Sequence, residues 1–151
     1  MTHPPQIRRA SLDEIIDLRH IILRAGLPRE TAIFPGDELV SSRHYGAFVR
    51  EDSIHRTVGC ATLHLNQWES EPAWQLRGMA TSNDFRRKGL GRAMLEFIDR
   101  EILSEPDSPR LFWCNARVPA IEFYKMLGWE IVSEPFEIPT AGPHVKMKRR
   151  V

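Results

Sequence analysis

Four cationic side chains and two glycines fall within the seven residues Arg86-Arg87-Lys88-Gly89-Leu90-Gly91-Arg92. They lie between a strand-like segment ending at Thr81 and a helix-like one that follows. The first amides of a helix lack intrahelical partners and point at one spot, where the helix dipole favours an anion. Gly89 and Gly91 remove side chains that would keep a phosphate away from the backbone. Arg86, Arg87, Lys88 and Arg92 bring positive charge to the same point, as a pyrophosphate requires. Basic charge beside a helix N-terminus opposes the dipole, and a bound polyanion removes that conflict. The competing description is a solvated basic helix start whose glycines serve packing. Other nucleotide cradles fail on spacing. The run G-x-x-x-x-G-K-[ST] is absent, and Met94 stands where G-x-G-x-x-G needs its third glycine.

The run Arg86 to Gly91 matches R-x-x-G-x-G, and in these residues the chain resembles the GNAT superfamily of N-acetyltransferases. Leu76-Arg77-Gly78-Met79-Ala80-Thr81 is similar to that family's central strand. Asn115, upstream of Ala120-Ile121-Glu122-Phe123-Tyr124-Lys125-Met126-Leu127-Gly128-Trp129, resembles its second signature, an asparagine before A-x-x-F-Y-x-x-x-G-[FW]. The resemblance implies that acetyl-CoA is the cosubstrate and that the amides from Arg87 to Arg92, including Lys88 and Leu90, hold its pyrophosphate. It further implies that the backbone of Met79 and Thr81 pairs with the pantetheine arm, that Asn115 contacts the arm, and that Tyr124 is the general acid. The acceptor would be a small-molecule or peptide amine of unspecified identity. Dimers are common in the family, so a homodimer is compatible with the resemblance.

The implied chemistry is coherent. CoA leaves as a thiolate and wants a proton; a thiol of pKa about 8.5 and a phenol of about 10 are close enough for transfer. Read alone, Tyr124 is a helix tyrosine with its ring in the core and its hydroxyl at the rim. Asn115 alone reads as a helix-start residue. An alkylamine near pKa 10.4 is mostly protonated at neutral pH, and freeing it costs roughly 4 kcal/mol. A base or a water chain must take that proton, while backbone N–H groups near Met79 and Ala80 would stabilise the oxyanion. Many relatives carry a glutamate on the central strand; here its polar positions are Gln75 and Arg77. Glu69, Glu71 and His64 lie nearby in sequence, and the base stays unassigned. His144, after a proline- and glycine-rich loop, is a candidate for the acceptor side.

These groups must be positioned by the elements around them. Ser11 stands three residues before Glu14, the capping-box spacing, and Leu12, Ile15, Ile16, Ile22 and Leu23 form an apolar helical stripe. Residues 29–43 read as an irregular, functional loop or one holding a short helix. Strand-like segments 45–50, 57–65 and 74–81 form an antiparallel meander, with Val58, Cys60, Thr62 and His64 expected on one face. A helix over 89–104, a strand over 110–115, a helix over 117–127 and strands over 129–133 and 145–150 complete the order. Phe123, Leu127 and Trp129 read as core. The spacing predicts an α/β (α+β) fold, a mixed and mostly antiparallel sheet flanked by helices, in one domain over 1–151.

Composition narrows the alternatives. With 42% hydrophobic and 27% charged residues the chain has globular composition, and a net charge of +1 supplies no global field for nucleic acid. Cys60 and Cys114, each in an apolar run, read as reduced structural thiols, and no His/Cys spacing suits zinc, so no metal is expected. No basic n-region precedes an apolar run at the N-terminus, and no stretch approaches the roughly 18 apolar residues of a membrane span. A cytoplasmic protein without membrane or nucleic-acid partners is expected. The main rival to an enzyme is a non-catalytic acyl-CoA-binding module, which would be indifferent to the loss of the Tyr124 hydroxyl.

Overall fold

The computed structural model describes residues 3–151. The chain begins with strand β1 (Gln6–Ala10) and helix α1 (Leu12–Leu23). Ser11 joins them: its hydroxyl accepts from the Glu14 amide at 3.3 Å, while its own amide donates to the Glu14 carboxylate at 2.9 Å. This reciprocal pair satisfies two amides that a helix start leaves free. A short 3-10 turn, Arg29–Ala32, follows within the irregular loop.

The meander is β2 (Arg43–Glu51), β3 (Ile54–Leu65) and β4 (Trp74–Thr81). Then come α2 (Leu90–Leu103), β5 (Leu111–Arg117), α3 (Ile121–Met126), β6 (Glu130–Ile131), β7 (Phe136–Ile138) and β8 (Gly142–Arg150). The strands hydrogen-bond in the order β1-β2-β3-β4-β5-β8-β6, with β7 also on β8. Among the described strands only β4 and β5 run parallel, as a crossover through α2 requires. The sheet is thus mixed and mostly antiparallel, with helices on its faces.

Alternation along β3 assigns the faces. Cys60 packs with Ile15, Leu18 and Ala80 under α1, and Arg19 of α1 bonds Thr62. Ala61 and Leu63 point the other way, into a core with Met94, Leu95 and Ile98 of α2. Val58 departs from the expected face and joins the α2 core, because β3 carries an extra residue where its register on β2 shifts between Ala47 and Phe48.

Two features of β4 matter most. Its register on β3 passes from Cys60↔Ala80 to Thr62↔Arg77, so β4 holds one more residue there than β3 does. Gly78 lies in this bulge at φ +59, a left-handed conformation that a side chain would strain. A Cβ on Gly78 would also come within 2.6 Å of Arg19 Nε. Second, β4 and β5 pair only over Trp74–Leu76 against Phe112–Cys114. Beyond that point β4 stays with β3 to Thr81 and β5 with β8 to Arg117, and the two separate.

Three expectations fail locally. The strand expected to end at Asn115 runs to Arg117, because Asn115, Ala116 and Arg117 pair with Lys146, Val145 and His144. Asn115 is therefore a strand residue and not a helix cap; a 3-10 turn (Val118–Ala120) precedes α3. The strand expected over 129–133 shrinks to two residues, and the expected loop over 135–143 contains β7, which Pro135 and Pro139 obscure. Proline beside a short edge strand removes no ladder bond.

The capping box yields a stability prediction. Ser11→Ala should lower the unfolding free energy by about 1 kcal/mol in urea titrations. Arg8, and then the Ser11 amide, hold the Glu14 carboxyl at about 2, from its ordinary 4.5. A carboxylate depressed by folding stabilises above its unfolded value and loses that contribution as pH falls through the folded one. The small difference in urea midpoint between wild type and Glu14→Gln, limited by solvent screening of this exposed pair, should be intact at pH 7 and vanish between about pH 4.5 and 2.

Candidate active site

The basic glycine turn forms at the C-terminal end of β4. The 3-10 turn Asn83–Phe85 is held by Asp84, which accepts from Arg56 at 2.6 Å and from the Ser82 hydroxyl at 2.6 Å. Arg56 keeps the Asp84 carboxyl well below its ordinary range. Arg87 (φ +61) and Gly89 (φ +78) then take left-handed conformations on either side of Lys88 and turn the chain into α2. The helix lacks a side-chain cap, and its first internal bond is Ala93 N–H to Gly89 C=O at 3.0 Å. The amides of Leu90, Gly91 and Arg92 precede that bond and have no intrahelical acceptor.

The two glycines differ. Around Gly89 a Cβ would meet nothing within 4 Å, so glycine is required for its dihedral beside open space. A Cβ on Gly91 would lie 3.1 Å from the Phe123 ring, so this glycine lets α2 approach α3. Its bare Cα therefore has a packing use that the sequence alone did not show. Leu90 is buried in the α2 core. Arg86, Arg87 and Lys88 are exposed with no carboxylate within ion-pair distance among the described residues, whereas Arg92 pairs with Glu96 at 2.9 Å. Lys88 lies 5.3 Å over the Phe85 ring.

Where β4 and β5 separate, a cleft of about 280 Å³ opens through the sheet. Met79, Tyr124 and Ala120 wall it on the α2–α3 side, and Leu23, Arg24 and Phe34 on the α1 side. Asn115 lies on its floor and accepts from Lys146 Nζ at 3.3 Å. Ala80 is buried beside the bulge, and Thr81 ends β4 half-buried, one residue before the turn that leads to the cationic run.

Tyr124 packs between Phe123 and Trp129, with ring centroids 5.1 and 5.2 Å away, which fixes its ring. Its hydroxyl points across the separation to Met79 Sδ at 3.9 Å. Burial, and then Cys114, push the phenol well above its ordinary value, so it stays protonated at neutral pH. Cys114, in the same wall, is pushed up to about 12 by burial, as is Cys60 under α1. Both thiols are free and inert as nucleophiles.

The candidate bases sort by position. Glu71 is tied to Arg150 at 2.6 Å on the far end of the sheet, and Glu69 is exposed in the same turn. His64 bonds Ser42 and is not in the cleft. Gln75 lines the cleft but its amide oxygen accepts from Asn66. His144 does line the cleft, is 4% exposed, and stacks on Phe136 at 6.1 Å. Its Nδ1 lies 2.7 Å from the Gly142 carbonyl, so Nδ1 donates and Nε2 keeps a lone pair in the neutral ring.

Sequence reasoning missed a buried cluster behind the bulge. Arg19 is fully buried and donates to Asp37 at 2.6 Å, Thr62 at 2.7 Å and the Ala32 carbonyl at 2.8 Å. Asp37 also accepts from the Phe34 amide, and the Phe34 ring lies 4.3 Å from the Arg19 guanidinium. The signal was a charge in the apolar stripe of α1, four residues after Ile15.

Comparison with known proteins agrees with this architecture. The profile of the acetyltransferase (GNAT) family matches residues 13–129. The uncharacterized N-acetyltransferase YitI of Bacillus subtilis (strain 168) is 27% identical over 142 residues, covering 94% of this chain and 93% of YitI. The crystal structure of Escherichia coli ElaA superposes with a TM-score of 0.75 at 17% identity, over 97% of this chain and 99% of that one. An aminoglycoside 6'-N-acetyltransferase complexed with coenzyme A gives 0.70 at 14% identity, over 96% of each chain. Those two structures share the fold. With the profile spanning most of its length, the chain belongs to the acetyltransferase (GNAT) family of acyl-CoA-dependent acyltransferases.

Proposed function

We propose that the protein transfers the acetyl group of acetyl-CoA to a primary amine by direct attack, with Tyr124 as general acid. The observation that carries this reading is the Tyr124 hydroxyl, held across the β4–β5 separation with a sulfur as its partner. The amides at the start of α2, with Arg86, Arg87 and Lys88 around them, fit the diphosphate of CoA: they lack acceptors and face open space at Gly89. When bound there, acetyl-CoA supplies the activated thioester. The backbone of Met79 and Thr81 and the Asn115 side chain, left by the separating strands, would hold the arm as an added strand does. Amides at the Gly78–Ala80 bulge would take the developing oxyanion.

A weakly acidic phenol still suits this acid step. The wall thiol Cys114 reports how strongly the cleft disfavours a thiolate, and a departing thiolate in the same place gains proton affinity for the same reason. Buried, inert cysteines leave no thiol to form an acyl-enzyme, which favours direct attack. His144, whose Nε2 keeps its lone pair, is the base-type side chain among the cleft residues and would accept the amine's proton through water.

Tyr124→Phe should reduce kcat by about a hundredfold, with acetyl-CoA affinity unchanged, in a thiol-release assay. Unaltered kcat would remove Tyr124 from the acid role, whereas binding of acetyl-CoA with no thiol release by wild type toward any amine would favour a non-catalytic binding module. Acetyl-CoA should raise the melting temperature, and an Arg86→Ala/Gly89→Ala double variant should lose most of that rise; ATP should not substitute. A thermal-shift series on wild type and variant checks this.

A further inference from the structure

The α1 side of the cleft carries an arrangement that the transferase chemistry alone does not use. Arg24, Arg77 and Arg117 all line it, each half-buried, and no aspartate or glutamate does. Arg24 and Arg117 donate to the same carbonyl, that of Leu23, both at 3.0 Å. Arg77 donates to the Pro35 carbonyl at 2.7 Å. Phe34 organises the group: its ring centroid lies 5.1 Å from the Arg24 guanidinium and 5.6 Å from that of Arg77. The one buried acid nearby, Asp37, is occupied by Arg19 and the Phe34 amide. None of the three cleft arginines has a carboxylate partner among the described residues.

We infer that the acceptor is an amine that also carries a carboxylate, and that Arg24, Arg77 and Arg117 form the subsite that holds it. A guanidinium presents five N–H donors in a planar fork, and each of these three spends one on a backbone carbonyl, leaving others for a ligand. Like charges gathered in a half-buried cleft are unfavourable until an anion joins them. Accordingly, burial, and then Arg117, pull the Arg24 pKa down, and burial does the same to Arg77. The CoA diphosphate does not explain the cluster, because its cradle lies at the start of α2, on the opposite face of the sheet from α1 and Phe34. A polyamine or other polycationic acceptor would meet three charges of its own sign. A carboxylate matches the planar fork of a guanidinium, which makes it the oxyanion assigned to this subsite.

This assignment rests on the transferase reading, and the test separates the two. Matched amines (an amino acid, its carboxamide and its decarboxylated amine, for glycine, alanine, phenylalanine and lysine) are assayed by thiol release, with aminomethylphosphonate beside glycine. Acetyl-CoA binding is measured by calorimetry on the same protein. The carboxylate member of an accepted set should turn over with kcat/KM higher by about tenfold or more, the scale of a charged hydrogen bond. Arg77→Gln and Arg117→Gln should raise its KM and erase the preference, with KM for acetyl-CoA unchanged, and Arg77→Lys should keep part of it. No acetylation of any carboxylate amine, or a preference for the carboxamide or decarboxylated partner, overturns the inference while leaving the transferase reading intact if acetyl-CoA binds. Equal or faster turnover of aminomethylphosphonate overturns the choice of carboxylate. Failure of acetyl-CoA to bind overturns both.

Discussion

Parallel strands β4 and β5 stop pairing after three residues, and the rest of the molecule follows from that separation. Each strand keeps its other neighbour, so the sheet remains continuous at both sides while its middle opens. An opening between strands exposes backbone donors and acceptors that a continuous ladder would have satisfied. Two devices accompany it. The extra residue at Gly78 bends β4, and Arg19 lies directly behind that glycine, buried and fixed by Asp37, Thr62 and the Ala32 carbonyl. A side chain at position 78 and the guanidinium cannot share this space. Arg19 Nε has no partner, so the network is not optimised for stability. Removing either member of a buried ion pair typically costs about 3–5 kcal/mol, which ties the shape of the bulge to α1 and the loop holding Asp37.

The opening passes through the sheet, so the two faces can serve two different molecules. On the α2–α3 face lie the acceptor-free amides, the unpaired basic side chains and the buried Tyr124 hydroxyl. On the α1 face lie the arginine group and Phe34, with His144 at the edge. Tyr124 is held by aromatic packing, and its hydroxyl, at the rim of its ring, reaches toward β4. Geometry of this kind fits a direct transfer, in which donor and acceptor approach one carbonyl from opposite sides and no side chain carries the group between them.

Much of this was legible in the residues. The glycines, basic cluster, Asn115 and Tyr124 are local signals whose meaning depends on a few neighbours, and α1, α2 and the meander have clear periodicity. What the sequence hid depends on long-range pairing. β5 outlasts its apolar run because β8 pairs with Asn115–Arg117, and β7 forms beside prolines because β8 offers it an edge. That Gly91 also makes room for Phe123, 32 positions away, shows only in the folded chain. Arg19, Arg24, Phe34 and Arg77 come from three segments, and only the folded chain shows that one phenyl ring gathers three guanidinium groups.

Amide hydrogen exchange tests the claim that the separated strands receive the arm of acetyl-CoA as a strand. Without ligand, peptides covering 77–82 and 115–118 should exchange faster than the paired β2–β3 segments. Saturating acetyl-CoA should protect both peptides together with residues 86–92. Protection confined to 86–92, or no change in either separated strand, would contradict the account.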